Sequence, residues 1–387
     1  MKFHPTNIKM NLKITYKKSE DCEIIFDANI FLKKNISNIL KPIVNNNPVF
    51  IFVDKNLYNK MRLELYCKTL KNVLNAEVYI LEGGEKIKSL VYFTKYIKKI
   101  FKKGVTSNSF IIAIGGGTII DLAGYISSVI YRGIKFISVP TTLLASADAA
   151  ISCKNALNLA SGKNQLGTYQ LPIKVFIETT YIYDFLNTRY FWDGFAEIIK
   201  HGIGHSKRLL DYLKNNQSKY IQKKIIQKLS KDEKKEFKKD ITKVLKLAIR
   251  SKVVLFNKNN NELQPVYHFG HTIGHALEIA TRHKLLHGEA ITIGMLVAME
   301  LSIIKSTLKK SVLIETRKLL KKYNLPTSIK KNILNLKIFY QVMKKDKKYF
   351  DGKNYFILMN GLYKISNKLT SITSNEYTNI LKNYIHK

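Results

Sequence analysis

The first half of the chain alternates short, continuously apolar runs with longer segments whose apolar residues recur every three to four positions. PVFIFVD (Pro48–Asp54), AEVYIL (Ala76–Leu81), FIIAIGGG (Phe110–Gly117), FISVPTT (Phe136–Thr142) and KVFIE (Lys174–Glu178) read as strands buried on both faces. Amphipathic stretches such as SLVYFTKYIKKIFKKG lie between them. This alternation predicts a parallel sheet covered by helices. Near the start, LKITYKKSEDCEIIFDANIF (12–31) alternates with period two and predicts an added hairpin. From about Asp184 a period near 3.6 takes over, in FWDGFAEIIKHGIGH, KDITKVLKLAIRSKVVLF, TIGHALEIATRH and EAITIGMLVAMELSIIK. The second half is therefore expected to be mostly helical. The expected division is a Rossmann-like α/β unit over 1–185 and a helical unit over 186–387, with the functional cleft between them.

Four stretches carry candidate chemistry. IGGGTIIDLAG (Ile114–Gly124) ends a predicted strand and opens a predicted helix. Its glycines let backbone N–H groups approach a pyrophosphate at a helix N-terminus, although the spacing is not G-x-G-x-x-G. In FAEIIKH, Glu197, Lys200 and His201 fall at i, i+3 and i+4, on one face of a helix that Trp192, Phe195, Ile198 and Ile199 mark as largely buried. VYHFGHTIGHALEIATRHKLLHGEA (Val266–Ala290) holds five of the nine histidines. His271 and His275 stand one helical turn apart, and His287 heads the next helix. Two histidines, one carboxylate and an open position make a common catalytic zinc site, and the absence of cysteine here argues against a closed structural one. In DAAISCKNALNLASGKNQLGTY, Asp148, Lys154, Lys163 and Asn164 sit among small residues after a strand, where lysines suit phosphate. The bland alternative is a polar loop in a lysine-rich protein.

Composition narrows the class. The 387 residues are 45% hydrophobic, which fits a globular protein with two units. The longest apolar run, Phe110–Ile120, contains three glycines and stops at Asp121, short of a membrane span. The N-terminus lacks the continuous apolar core of a signal peptide. Three dispersed cysteines, Cys22, Cys67 and Cys153, fit a reducing cytoplasm. The net charge of +37 comes from lysines scattered along the whole chain, as A/T-rich codons would supply, and no nucleic-acid motif accompanies it. The charge should attract anionic substrates.

The ordered set GGGTIIDLAG, PTTLL, Asp148 followed by Lys154, GKNQLG, AEIIKHGI, FGHTIGHALE and LHGEA resembles the 3-dehydroquinate synthase superfamily, the sugar phosphate cyclases. The match runs roughly from Pro48 to Leu301, with a weaker echo at KKDKKYFDGK. The resemblance implies an NAD-binding α/β domain, a helical metal domain and a homodimer. It implies zinc or cobalt on Glu197, His271 and His287. It implies NAD contacts from Asp54, Glu85, Lys88, Gly116, Gly117, Asp121, Thr141 and Thr142, with Lys154 and Lys163 nearby. Asp148, Lys154, Asn164, Lys200, His275 and Lys348 would face a small phosphorylated sugar, and Arg132 would reach its phosphate across a dimer interface. The implied reaction is transient oxidation, β-elimination of phosphate, return of the hydride, and an intramolecular aldol closure.

Departures from the pattern bear on the substrate. SCK (Ser152–Lys154) stands where dehydroquinate synthases read GGK, and Ile120 where they have a glycine. Gln264 stands in place of the arginine that holds a substrate carboxylate, and His268 in place of an asparagine. Arg250 aligns with a lysine that serves the same carboxylate. CKNALNLASGKNQLGTYQLP is also similar to 2-deoxy-scyllo-inosose synthases. Arg250 would keep one cation for a carboxylate, but the lost arginine and the inosose-synthase-like stretch lean the expectation toward a carboxylate-free substrate, glucose 6-phosphate, with dehydroquinate synthesis as the alternative. A glycerol-dehydrogenase-like oxidoreductase, marked by net NADH production, and a basic nucleic-acid-binding protein fit less well.

Overall fold

The structure is a computed structural model and describes residues 21–27, 29, 33–60, 63–159, 162–184, 188–215, 230–258 and 265–386. The strands of the first half are β1 (Glu23–Phe26), β2 (Val49–Asp54), β3 (Glu77–Leu81), β4 (Phe110–Gly115), β5 (Lys135–Pro140), β6 (Lys154–Leu159), β7 (Gly162–Tyr169) and β8 (Lys174–Ile177). Six of them form one parallel sheet in the order β1-β8-β5-β4-β2-β3. Alternate residues serve opposite faces, as strand geometry requires. Val49, Ile51 and Val53 of β2 pack in one apolar cluster, while Phe50 and Phe52 pack in a second that runs on into the helical half.

All five expected strands are present, within two residues at their ends. Two readings need correction. The expected N-terminal hairpin lies mostly outside the described residues, and its described part, β1, adds to the sheet edge in parallel with β8. The stretch after Asp148 is not a loop: β6 and β7 pair antiparallel as a ribbon.

The second half is built on helices Arg189–His205, Lys231–Lys258, His271–Ala280 and His287–Lys305, with an antiparallel sheet of Tyr349–Phe350, Lys353–Gly361 and Lys364–Ile372. That sheet was not expected from the helical periodicity. Among the described residues, His287–Lys305 alone is long and apolar enough to cross a membrane, but 72% of its apolar window is buried within the protein. Its apolarity serves the core.

Close helix contact brings the histidine-bearing elements together. A Cβ on Gly294 would lie 2.1 Å from the Gly270 carbonyl oxygen and 2.8 Å from the Gly274 nitrogen. The helix carrying His287 therefore lies almost backbone to backbone on the start of the helix carrying His271. Gly270 itself has φ +78°, a left-handed conformation that launches that helix.

Candidate active site

Three elements converge on Glu197. The carboxylate is fully buried in helix Arg189–His205. Its Oε2 lies against the Lys200 ammonium, and its Oε1 has no hydrogen-bond partner among the described residues. Oε1 faces His271 Nε2 at 3.6 Å and His287 Nε2 at 3.8 Å. Both histidines are held from behind: His271 Nδ1 is 3.1 Å from the Phe269 carbonyl oxygen, and His287 Nδ1 is 3.1 Å from Glu278 Oε2. An Nδ1–H that donates in each case leaves the Nε2 lone pair aimed at Glu197. Tetrahedral coordination at about 2.1 Å places ligand atoms roughly 3.4 Å apart. The spacing fits a cation between the three groups better than it fits hydrogen bonds.

Two other donor sets lie close by, Asp148–Glu197–His201 and His275–Glu278–His287. Protein cations already engage their carboxylates. Lys252 Nζ is 2.5 Å from Asp148 Oδ1 and 2.7 Å from the Asp148 carbonyl oxygen, and Lys163 Nζ is 2.5 Å from Glu278 Oε1. In the Glu197–His271–His287 set Lys200 engages Oε2, and Glu197 Oε1, facing both histidines, is the carboxylate oxygen left open to a metal.

Beside it is a pocket wall rich in cations. The Tyr267 ring lies between Lys154 Nζ at 5.6 Å and Lys252 Nζ at 5.5 Å, and the Tyr267 carbonyl accepts from Lys200 Nζ at 3.3 Å. Burial and the neighbouring Lys252 and Lys200 lower the Lys154 ammonium to about 8, against the opposing pull of Asp148. Burial opposes ionisation of Asp148, but Lys252 and Lys200 outweigh it and hold its carboxyl well below the usual range. His268 is pushed down to about 2 by burial and by Lys154, Lys347, Lys348 and Lys200, so it is a neutral imidazole. His275, lowered to about 3 by burial and His287, is neutral too. Its ring centroid is 5.1 Å from that of His271 and 5.8 Å from that of His287. Lys348 is half-buried at the rim, 3.3 Å from Asp346.

The expected cofactor residues gather at the C-terminal edge of the sheet. β2 neighbours β3 on one side and β4 on the other, so the strand order reverses between β2 and β4, where open α/β sheets bind ligands. Asp54 ends β2, Gly116 and Gly117 lead from β4 into helix Gly117–Val129, and Thr141 and Thr142 follow β5. The Thr142 hydroxyl caps the helix Leu143–Ala147, and the Thr141 hydroxyl is buried without a partner among the described residues. Lys88 Nζ bonds Asp121 at 2.5 Å and Asn164 at 2.6 Å. Lys163 bridges Glu85 at 3.0 Å and Glu278 at 2.5 Å. Lys88, Asp121, Asn164, Lys163 and Glu85 are thus brought together, paired with one another.

Two expected residues are not brought to the cluster. Arg250 is exposed and lines a basic surface groove with Arg208, Lys235, Lys239, Lys243 and Lys246. Two positions further along the same helix is a rotation of about 200°, which turns Lys252 inward. Lys252, only 2% exposed, is a buried cation that the residue pattern did not single out. A lysine in an apolar stretch, SKVVLF, was the available signal. Arg132 is exposed beyond the end of helix Gly117–Val129, with φ +67°. Gln264 lies outside the described residues.

The comparisons with known proteins agree with this architecture. The 3-dehydroquinate synthase N-terminal family matches residues 78–191, and the 3-dehydroquinate synthase C-terminal family matches 194–349. The chain is 34% identical over 346 residues to a 3-dehydroquinate synthase of Endomicrobium trichonymphae, covering 87% of this chain and 89% of that one. It is 30% identical over 380 residues to the 3-dehydroquinate synthase of Caldanaerobacter subterraneus subsp. tengcongensis, covering 96% of this chain and all of the relative. Its fold matches a 2-deoxy-scyllo-inosose synthase solved with carbaglucose-6-phosphate, NAD+ and Co2+, at a TM-score of 0.76 and 23% identity, over 93% of this chain and 96% of the other. The chain belongs to the 3-dehydroquinate synthase family and is one of its sugar phosphate cyclases, lyases that eliminate phosphate as they close a ring.

Proposed function

We propose that the chain is a 3-dehydroquinate synthase, acting on 3-deoxy-arabino-heptulosonate 7-phosphate with NAD+ and a divalent metal, zinc or cobalt. The observation that carries this choice is Lys252. The lean toward glucose 6-phosphate rested on Gln264 in place of a carboxylate-binding arginine and on the similarity of CKNALNLASGKNQLGTYQLP to 2-deoxy-scyllo-inosose synthases, with Arg250 as the one cation expected to remain for a carboxylate. The inward Lys252 restores a cation at the site, next to Lys154 and Lys200. Lys154 makes no ion pair among the described residues, so the wall keeps positive charge for a substrate that bears a carboxylate as well as a phosphate. The curated relatives described above support the same substrate.

When bound, NAD+ supplies a hydride acceptor and the metal a Lewis acid. Glu197, His271 and His287 would hold the metal, and the N-terminus of helix Gly117–Val129 would face the cofactor pyrophosphate. Lys154 and Lys348 present ammonium groups to the substrate anions. His275, kept neutral by burial, offers an imidazole nitrogen to take a proton. His287 Nδ1 keeps its own proton and donates it in a hydrogen bond to the Glu278 carboxylate.

Gln264 is the specific feature that favours the glucose 6-phosphate reading. The test is phosphate release by protein loaded with zinc and NAD+, offered glucose 6-phosphate, the heptulosonate phosphate and sedoheptulose 7-phosphate in parallel. Release from the heptulosonate with no net NADH at 340 nm is expected. Release from glucose 6-phosphate alone would overturn the assignment, and steady NADH accumulation would mark an oxidoreductase.

A further inference from the structure

Lys163 sits between two carboxylates that belong to different parts of the protein. Glu278 lies on helix His271–Ala280, 3% exposed, and its Oε2 receives His287 Nδ1 at 3.1 Å. Its other oxygen is 2.5 Å from Lys163 Nζ. Lys163 lies on the β6–β7 ribbon and also reaches Glu85 Oε1 at 3.0 Å. Glu85 opens the short turn after β3. Its remaining oxygen accepts from Asn158 Nδ2 at 2.7 Å, and Asn158 is joined through its backbone to the Lys88 carbonyl at 2.7 Å. Lys88 in turn pairs with Asp121 on the helix that follows the glycine turn. A run of hydrogen bonds, charge-assisted at every step but the Asn158–Lys88 backbone one, therefore links the cofactor edge of the sheet to the back of His287.

We propose that Glu278 is a positioning residue for His287, and that Lys163 couples it to Glu85 so that nucleotide binding and metal binding reinforce each other. The inference rests on the reading of this cleft as a joint NAD+ and metal site. A carboxylate behind a ligand histidine fixes its tautomer and ring orientation and raises its basicity as a ligand. Lys163 makes the position of that carboxylate depend on Glu85. Glu85 keeps 30% of its side chain exposed, so it is the end of the triad a nucleotide can reach. A nucleotide that orders Glu85 orders Lys163, and with it Glu278, before the metal arrives. Side-chain freedom already lost is not lost a second time, which gives positive coupling.

The experiment is zinc titration of the full chain against a chromogenic chelator, with and without saturating NAD+, paired with NAD+ titration of the metal-free and zinc-loaded protein. Wild-type zinc Kd should fall by about fivefold or more with NAD+, and NAD+ Kd by the same factor with zinc. Lys163→Met should bring both factors to one, and Lys163→Arg should keep them. Glu278→Gln should raise the zinc Kd about 10–100-fold while the melting temperature of the metal-free protein stays near wild type. The wild-type linkage needs no variant, so a misfolded substitution leaves the coupling exposed to test. Identical zinc affinity with and without NAD+ overturns the coupling, and a Glu278→Gln zinc Kd within twofold of wild type overturns the positioning role. A wild-type protein that binds no zinc, or no NAD+, overturns the site reading itself and this inference with it.

Discussion

Two lysines line the proposed substrate wall, and each makes a residue-scale prediction. Lys154 is lowered to about 8 because burial penalises its charge and Lys252 and Lys200 repel it. Its ammonium is therefore present below about pH 8 and lost as pH rises through that value. An anionic substrate needs the charge, so kcat/KM should fall above about pH 8. The free-enzyme pKa governs that parameter, which makes a pH–rate profile the right measurement. Lys154→Arg should keep the charge and move the falling limb to higher pH. A limb unchanged in Lys154→Arg would assign it to another group. Lys252 holds Asp148 through two short contacts and lies within reach of the same ring as Lys154. Lys252→Met should lower kcat/KM by about 10–100-fold, the range for a lost charge-assisted hydrogen bond. Arg250→Met, on the outer face of the same helix, should stay within twofold. The reverse pattern would restore Arg250 as the functional cation.

At the scale of elements, the residues proposed to hold the metal depend on how closely two helices approach. Gly294 faces the Gly270 carbonyl with no room for a Cβ. A second glycine, Gly288, lies over Asp193, where an added Cβ would be 2.0 Å from the Asp193 carbonyl oxygen, and Asp193 Oδ1 also accepts from Glu289 N at 3.0 Å. These contacts place His287 at the first turn of its helix, opposite Glu197. Gly294→Ala must push the helices apart, at a cost of about 1–3 kcal/mol for overpacking. The melting temperature should drop, and zinc content after dialysis should drop with it. Zinc retention at full stoichiometry in a destabilised protein would show that the histidine geometry does not depend on this contact. The elements themselves were legible in the sequence because buried parallel strands and core helices carry unbroken periodicity. The ribbon β6–β7 was not, because KNALNL and GKNQLGTY mix polar and small residues in a strand that is only half covered. The gathering of His271, His275 and His287 was legible because it rests on residue type and spacing. Which cation of the long amphipathic helix turns inward was not legible, because it rests on helical phase: Arg250 faces out and Lys252 in. The pairing of Lys163 was not legible either, since its partners lie 78 residues before it and 115 after it in the chain.

Arg132 belongs to the scale of the whole molecule. Its side chain is exposed, with no hydrogen bond or ion pair among the described residues, next to exposed Tyr131, and both residues have positive φ, at +67° and +48°. Two adjacent non-glycine residues in the left-handed region carry a cost that a purely solvent-facing turn has no reason to keep. The family resemblance implies a homodimer in which this arginine reaches the substrate phosphate of the partner. A geometry that projects Arg132 away from its own fold is consistent with that arrangement. The consequence is testable by complementation. Arg132→Ala and Glu197→Ala proteins should each be close to inactive alone. After co-expression, the mixed dimer has one site in which an intact metal set meets an intact arginine from across the interface, so activity should return. A control mixing Glu197→Ala with His271→Ala should regain nothing, because a metal set wholly inside one subunit leaves each site of the mixed dimer with one defect. Failure of Arg132→Ala and Glu197→Ala to complement, with mixed dimers present by mass spectrometry, would place Arg132 in its own subunit's function or in none. The net charge of +37 adds a second constraint on such a dimer, since like-charged subunits repel more strongly at low salt. Recovered activity should therefore rise with moderate salt as the dimer tightens, before screening weakens the pull on an anionic substrate at higher salt.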